Sequence, residues 1–249
     1  MAKKKLSDFP DFAISELTSI IEKETEGTNI PSIFIVAQNI FKYPESSCSI
    51  NLKDGENASD YITKWTRKYI KGFNNRTSKR KSNAIGTQHD PIIDEIISSR
   101  IGNATENLQL IKYGHRLSMS AENIAGSLLE EFLFEKLLKY DWHCCWGETM
   151  RSIDFCTTDG RLIQIKNSDN SENSSSKTVR DNTEIIHWFR RFSKSGDTNW
   201  YALQEILGIK DSETDLTEEE FRKFVRESVS NNPDSLFLED ESPYGNDKD

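Results

Sequence analysis

The sequence has little of what marks secreted, membrane or fibrous proteins. It contains only four cysteines and 35% hydrophobic residues in 249 positions. The cysteines lack zinc-type spacing and are too few for a disulfide scaffold, so we interpret them as reduced, buried side chains. No stretch approaches the roughly 18 apolar residues of a membrane span. The start, MAKKKLSDF, has charges but no apolar core, so we expect no signal peptide, no membrane partner and a cytoplasmic location.

Aromatic side chains are nevertheless frequent enough to build a core, with 13 Phe and 5 Trp. This content argues against a disordered chain, a collagen or a coiled-coil array. The length suits one large domain or two small ones.

Charge is unevenly distributed along the chain. Residues 205–249 hold fourteen acidic and five basic side chains and so carry the whole net charge of −9. Residues 61–81 hold eight basic side chains and no acidic one, interleaved with aromatic residues. Such a block is typical of a phosphate-binding surface, and the alternative is a solvated helix face followed by a flexible loop. The residues predicted here to contact the sugar-phosphate backbone of DNA are Lys64, Arg67, Lys68 and Lys71.

Apolar periodicity predicts a helical first part and a mixed second part. Helices are predicted over residues 9–23, 62–70, 91–100, 120–139 and 180–192, with Ser120 as an N-cap, and 32–41 is helix or strand. Strands are predicted over residues 142–146, 152–156 and 161–166, the last two joined by an Asp-Gly turn. This order predicts an α/β fold with a mixed central sheet flanked by helices. The expected domains are a mainly helical region 1–110, a core 111–210 and an acidic region 211–249.

Polar residues of the predicted hairpin alternate with apolar ones. Gln164 and Lys166 are two apart and therefore point to the same face of the sheet, with Asp154 in the neighbouring strand. A carboxylate, an amide oxygen and an ammonium on one face suit a hard cation such as Mg²⁺ and a water that attacks a phosphodiester. An ordinary surface hairpin is the alternative.

Two neighbouring segments strengthen the nuclease hypothesis. Glu130 lies near the apolar side of its predicted helix, where a carboxylate needs a partner such as a metal, whereas Glu131 is the more easily solvated competitor. After Lys166 comes a run without apolar residues, NSDNSENSSS, whose amides and hydroxyls suit base edges and phosphates. The DNA-binding residues predicted here are Asn167, Ser168, Asn170, Ser171, Asn173, Ser174, Ser175 and Ser176, followed by Arg180, Arg190 and Arg191.

Asp154, the Gln164-Ile-Lys166 triplet and the helical Glu130 together resemble the PD-(D/E)xK nuclease pattern. The wider stretch 152–191 is similar to type II restriction endonucleases of the SinI kind, and the resemblance covers about residues 118–204. It implies a restriction-endonuclease-like core in which Asp154, Gln164 and Glu130 hold Mg²⁺ and Lys166 assists the attacking water.

The sequence departs from that pattern at two positions. Ile153 stands where the motif has proline, and Gln164 stands where it has an acid. Glutamine keeps a carbonyl oxygen but removes one negative charge from the expected metal site. Metal binding would then depend more strongly on Glu130. Some branches of the superfamily resemble this chain in using QxK, so we still expect nuclease activity.

We therefore predict a Mg²⁺-dependent type II restriction endonuclease that cuts double-stranded DNA as a homodimer. The resemblance implies a short target of the GGWCC kind. The alternatives are a repair or junction nuclease with the same core, a non-catalytic DNA-binding protein in which Gln164 marks an inactive site, and an interaction domain without DNA affinity. The four histidines show no paired metal spacing, and we interpret each as structural.

Overall fold

The structure is a computed structural model that describes residues 2–30, 32–83, 90–102, 105–169, 185–209 and 214–238. The chain divides into two compact units. The first comprises Met1–Arg76 and Leu129–Lys223. The second comprises Thr77–Leu128 and Phe224–Asp249.

The first unit begins with a short antiparallel pair of strands and three helices. The strands are β1 (Ala2–Lys4) and β2 (Ile50–Leu52). The helices are α1 (Ile14–Glu24), α2 (Ser32–Lys42) and α3 (Ala58–Asn74). Residues 32–41, for which the sequence allowed helix or strand, are thus helical, and the helices predicted near 9–23 and 62–70 are present.

Helix α3 carries Lys64, Arg67, Lys68 and Lys71. Its N-terminal cap and its buried face both favour helix formation. The Asn57 side chain accepts hydrogen bonds at the N-terminus, and Asp60 completes a capping box. Tyr61, Trp65 and Tyr69 recur every four residues and are fully buried. This aromatic stripe anchors α3 in the core and leaves its charged side chains on the outside.

Four described strands form the central sheet of the first unit in the order β3-β4-β5-β6. They are β3 (His143–Cys144), β4 (Phe155–Cys156), β5 (Leu162–Ser168) and β6 (Ile185–Arg191). The first three are antiparallel neighbours, and β6 runs parallel to β5. The predicted α/β class with a mixed sheet flanked by helices is confirmed.

The helix predicted over residues 180–192 is wrong in its described part, because residues 185–191 form strand β6. Ile185, Trp188, Phe189 and Phe192 have helix-like spacing, which suggested an amphipathic helix. The β-branched and aromatic residues instead pair with β5 over most of its length, and this tertiary pairing overrides the local pattern. The strand predicted over 152–156 is likewise shorter and covers only β4.

Aromatic rings fill the core of the first unit around α6 (Trp200–Leu207). The Trp200 ring lies 5.3 Å from Trp188 of β6 and 5.8 Å from Phe132 of α5 (Thr105–Leu137). Phe221 of α7 (Glu218–Asn231) packs 5.4 Å from Phe132. These contacts join the sheet to the helix segment that carries Glu130.

The second unit contains α4 (Pro91–Ile101), capped by Asp90, and the first part of α5. Ser120 lies inside α5, is buried, and accepts a hydrogen bond from the Phe237 N–H at 3.1 Å. The prediction that Ser120 caps the helix is therefore wrong, because the apolar spacing after it continues a longer helix.

Within the described residues, no helix combines the length and apolar character needed to cross a membrane.

Candidate active site

Asp154 is fixed to the β4–β5 hairpin by backbone contacts although it lies just before β4 rather than in a strand. Its N–H donates to the Ile163 carbonyl at 2.9 Å. Its carboxylate oxygen Oδ2 accepts from the Ile165 N–H at 2.6 Å. The hairpin therefore sets the position of this carboxylate relative to β5.

Gln164 and Lys166 lie on β5 as predicted, on the face opposite Ile163 and Ile165. The two isoleucines are buried, whereas the two polar residues are half-buried. The side-chain oxygen Oε1 of Gln164 is buried and accepts no hydrogen bond from any described residue. A buried amide oxygen without a donor costs free energy, so its presence here calls for a partner.

Glu130 is close enough to Asp154 for their charges to interact. Burial raises the pKa of Glu130 to about 8, and the negative charges of Asp154 and Glu148 act in the same direction. Burial also raises the pKa of Asp154 to about 6, although the Ile165 hydrogen bond and the Lys166 charge oppose the rise. Two carboxyl groups thus share a poorly hydrated site.

These side chains fit a hard divalent cation. The candidate donors are the two carboxyl groups of Glu130 and Asp154 and the Oε1 atom of Gln164. Mg²⁺ prefers oxygen ligands and retains several waters. In the described part of the chain, no group of three or more His, Cys, Asp or Glu side chains is placed to hold a metal. A cation at this site therefore depends on the amide oxygen of Gln164.

Glu131 is buried rather than solvated, which corrects the sequence interpretation. It is only 3% exposed, and its Oε1 lies 3.3 Å from Nε of Arg76. The Arg76 guanidinium also stacks 4.0 Å over the Phe73 ring. Glu131 is therefore held in an ion pair inside the first unit, while the charge of its neighbour Glu130 interacts with that of Asp154.

Glu148 was missed by sequence reasoning because it stands in an irregular segment between β3 and β4. Its side chain is exposed, and its backbone has a φ of 52°, which is uncommon for a residue with a side chain. Lys68 Nζ donates to the Glu148 carbonyl at 3.2 Å and holds the turn against α3. Glu148 thus adds a third carboxyl group, whose charge acts on Asp154 and Glu130.

Only part of the predicted DNA-binding loop lies within the described residues. Asn167 and Ser168 form the end of β5. Asn167 accepts a hydrogen bond from Arg190 at 2.9 Å. The predictions outside the described residues are Asn170, Ser171, Asn173, Ser174, Ser175, Ser176 and Arg180.

The two arginines of β6 differ in their surroundings. Arg190 is 11% exposed and forms an ion pair with Glu218 at 2.6 Å. Arg191 is exposed and is in register with Ser168 of β5. This arrangement favours a structural role for Arg190, whereas Arg191 remains accessible to a ligand.

The predicted phosphate contacts of α3 also differ. Lys64 pairs with Glu56 at 2.5 Å, and Arg67 pairs with Glu24 at 2.7 Å. Lys68 contacts the turn that carries Glu148. Lys71 is exposed. Lys64 and Arg67 are therefore paired with carboxylates, whereas Lys68 and Lys71 make no ion pair with a carboxylate among the described residues.

The sheet and the site together define the class of protein. The sheet is an antiparallel β3-β4-β5 meander with β6 parallel to β5. Glu130 lies on a helix, Asp154 lies just before β4, and the QxK triplet lies on β5. This combination is a restriction-endonuclease-like core of the PD-(D/E)xK type.

The chain belongs to the SinI restriction endonuclease family, whose model matches residues 55–231. The type II restriction enzyme Eco47I of Escherichia coli is 40% identical over 161 residues, which cover 63% of this chain and 68% of that enzyme. The type II restriction enzyme SinI of Salmonella infantis is 40% identical over 158 residues, which cover 61% of this chain and 67% of that enzyme. The resemblance noted in the sequence is thereby confirmed.

Proposed function

We propose that the protein is a type II restriction endonuclease that hydrolyses phosphodiester bonds in double-stranded DNA at a short specific sequence and uses Mg²⁺. The observation that carries the proposal is the buried Oε1 of Gln164, which has no hydrogen-bond partner among the described residues. It lies on the strand that also carries Lys166 and binds Asp154, in a chain of the SinI restriction endonuclease family. The related Eco47I and SinI are type II restriction enzymes. A short GGWCC-like target is part of the same proposal.

The catalytic roles follow from the chemistry of each side chain. Asp154, Gln164 and Glu130 would hold Mg²⁺, which when bound supplies positive charge to a phosphate oxygen. Lys166 is half-buried, and its charge acts on Asp154. Its ammonium has three N–H donors and can orient a water molecule and a phosphate oxygen together.

DNA contacts would come from cations of helix α3 and strand β6 and from the polar run that follows Lys166. Lys68, Lys71 and Arg191 would neutralise phosphates, and polar side chains of 167–176 would approach base edges. Because phosphate contacts release counterions, binding should weaken as salt rises. An interaction domain without DNA affinity would show no binding and no such salt dependence.

Cutting both strands of a two-fold symmetric site calls for two copies of the active site, and we propose a homodimer. Helix α4 supports this proposal: within this fully described helix no residue is buried, and Ile92, Ile93, Ile96 and Ile101 are 45–61% exposed. Apolar patches of this kind mark protein interfaces.

The dimer has a direct test in solution. Light scattering should give twice 28.6 kDa for the wild type and a monomer for Ile92→Glu/Ile96→Glu. The control Ile14→Glu alters an isoleucine of α1 that is 47% exposed and should leave the dimer intact. A wild type that is monomeric at all concentrations, or a double variant that stays dimeric, contradicts this interface.

The first experiment on the activity is digestion of a long DNA of known sequence with Mg²⁺, with EDTA and with neither. We expect discrete fragments only with Mg²⁺, and sequencing of their ends gives the target. Fragments with varied ends would favour the repair or junction nuclease instead.

The substitution of an acid by Gln164 favours one other candidate, a non-catalytic DNA-binding protein. In that case the wild type binds DNA and leaves it intact with every divalent metal, whereas Gln164→Glu restores cutting. Metal-dependent cutting by the wild type excludes this candidate.

A further inference from the structure

Strand β6 brings a histidine beside the proposed catalytic strand. In the parallel β5–β6 pair, His187 is in register with Gln164, and Phe189 is in register with Lys166. Residues in register on neighbouring strands project to the same face of a sheet. His187 therefore shares the face of Gln164 and Lys166.

Burial confirms this division into two faces. Trp188 is 2% exposed and is in register with Ile165, which is 8% exposed, so both lie on the apolar face. His187 is exposed, as is Arg191, the residue four positions further along the same strand face. The sheet face that carries Lys166 thus extends to β6, where the side chains of His187 and Arg191 are exposed on it.

His187 also differs from a histidine with a structural role. In His143, Nδ1 lies 3.1 Å from Ser32 Oγ and Nε2 lies 3.0 Å from Asp141 Oδ1, so both ring nitrogens have partners. His187 makes no hydrogen bond or ion pair with any described residue. An exposed imidazole on the polar face of a sheet is available to a ligand.

The ligand expected on this face is the DNA backbone, and this step rests on the proposed function. Neighbouring strands lie only about 4.8 Å apart. His187 is directly across from Gln164 and diagonal to Lys166, so a phosphate bound at these two residues lies on the same face as the imidazole. An imidazole N–H donates readily to a phosphate oxygen, and hydrogen bonds to charged groups are stronger than neutral ones.

We propose that His187 is a further substrate-contacting residue whose imidazole N–H donates a hydrogen bond to a non-bridging phosphate oxygen at, or next to, the bond that is cut. This role does not require His187 to hold the metal, whose expected ligands are oxygen atoms.

The test compares His187→Ala, His187→Gln and the control His115→Ala, which alters an exposed histidine of α5. We expect His187→Ala to lower kcat/KM by about tenfold or more, the effect of losing one hydrogen bond to a charged group. DNA affinity, measured with Mg²⁺ in a Lys166→Ala background so that the duplex stays intact, should fall similarly. His187→Gln keeps an N–H donor and should recover most of the loss, while His115→Ala should match the wild type.

Three results would overturn the proposal for His187. They are an unchanged kcat/KM and affinity in His187→Ala, an equal loss in His115→Ala, and a shift only in the Mg²⁺ concentration for half-maximal cutting. Cutting by the wild type is scored in the same assay, so a failure of the nuclease function itself is seen separately.

Discussion

The carboxylate of Asp154 accepts a hydrogen bond from the backbone N–H of Ile165 at 2.6 Å. This bond joins an acid that lies outside any strand to the residue between Gln164 and Lys166. The acid and the QxK triplet therefore move as one unit. A fixed relative position of these side chains suits their proposed role in hydrolysing a phosphodiester.

Replacing Gln164 by methionine should separate stability from activity. The buried Oε1 has no donor among the described residues, so an apolar side chain of similar size should raise the free energy of unfolding by about 1 kcal/mol. The same change removes a proposed metal ligand and should abolish cutting. Urea unfolding in EDTA and DNA digestion in Mg²⁺ measure the two effects. The control Gln109→Met alters an exposed glutamine and should change neither; a less stable or fully active Gln164→Met would contradict the assignment.

The stability of the metal-free protein should fall as pH rises from about 4 to about 8. The pKa of Glu130 is raised from 4.5 to about 8 and that of Asp154 from 3.8 to about 6, so the folded state holds protons that the unfolded state has lost. Their contribution is complete below the unfolded pKa values and disappears as pH passes the folded ones.

Glu130→Gln should remove part of this pH dependence, and Mg²⁺ should reduce it in the wild type by favouring the charged carboxylates. Thermal unfolding in EDTA across pH 4–9 measures the effect. Glu122→Gln alters an exposed acid of the same helix and serves as the control. Parallel pH curves for the wild type and Glu130→Gln would show that Glu130 does not titrate in this way.

Glu131 should matter for stability, in contrast to Glu130. Glu131→Ala leaves the Arg76 charge, which is only 10% exposed, without its carboxylate partner. Loss of one member of a buried pair costs about 3–5 kcal/mol. Denaturant unfolding should show this loss in Glu131→Ala and a much smaller one in Glu130→Gln. Equal losses of unfolding free energy in the two variants would contradict the assignment of Glu131, rather than Glu130, to the buried ion pair.

The contact between Gly72 and Gly147 should be required for the turn that carries Glu148. A Cβ at Gly72 would lie 2.4 Å from the Gly147 nitrogen, so the backbone of the turn must shift. We expect Gly72→Ala to lower both the melting temperature and the cutting rate. Gly126→Ala, on helix α5, meets nothing within 4 Å and should be neutral or slightly stabilising. If Gly72→Ala matched Gly126→Ala, the close packing of α3 on the turn would be unimportant.

The shared strand face of Gln164 and Lys166 could be predicted from the sequence, because their alternation with isoleucines is a local pattern. The strand at 185–191 could not, because its apolar spacing also fits a helix and only pairing with β5 decides between them. The partner of Glu131 could not be seen either, since Arg76 is remote in the chain. The charge of Glu148 acts on Asp154 and Glu130 through tertiary contacts. His187 is placed opposite Gln164 by strand register, and neither arrangement has a local signal in the sequence.

The most direct test of the catalytic site compares the wild type with Lys166→Ala on the same mapped DNA, with cutting and binding measured side by side. Removing the group proposed to orient the attacking water should slow cutting by about a hundredfold or more and leave DNA affinity within a few-fold of the wild type. Lys53→Ala, at an exposed lysine after β2, should cut normally. A Lys166→Ala variant that cuts at the wild-type rate would contradict a catalytic site on this hairpin.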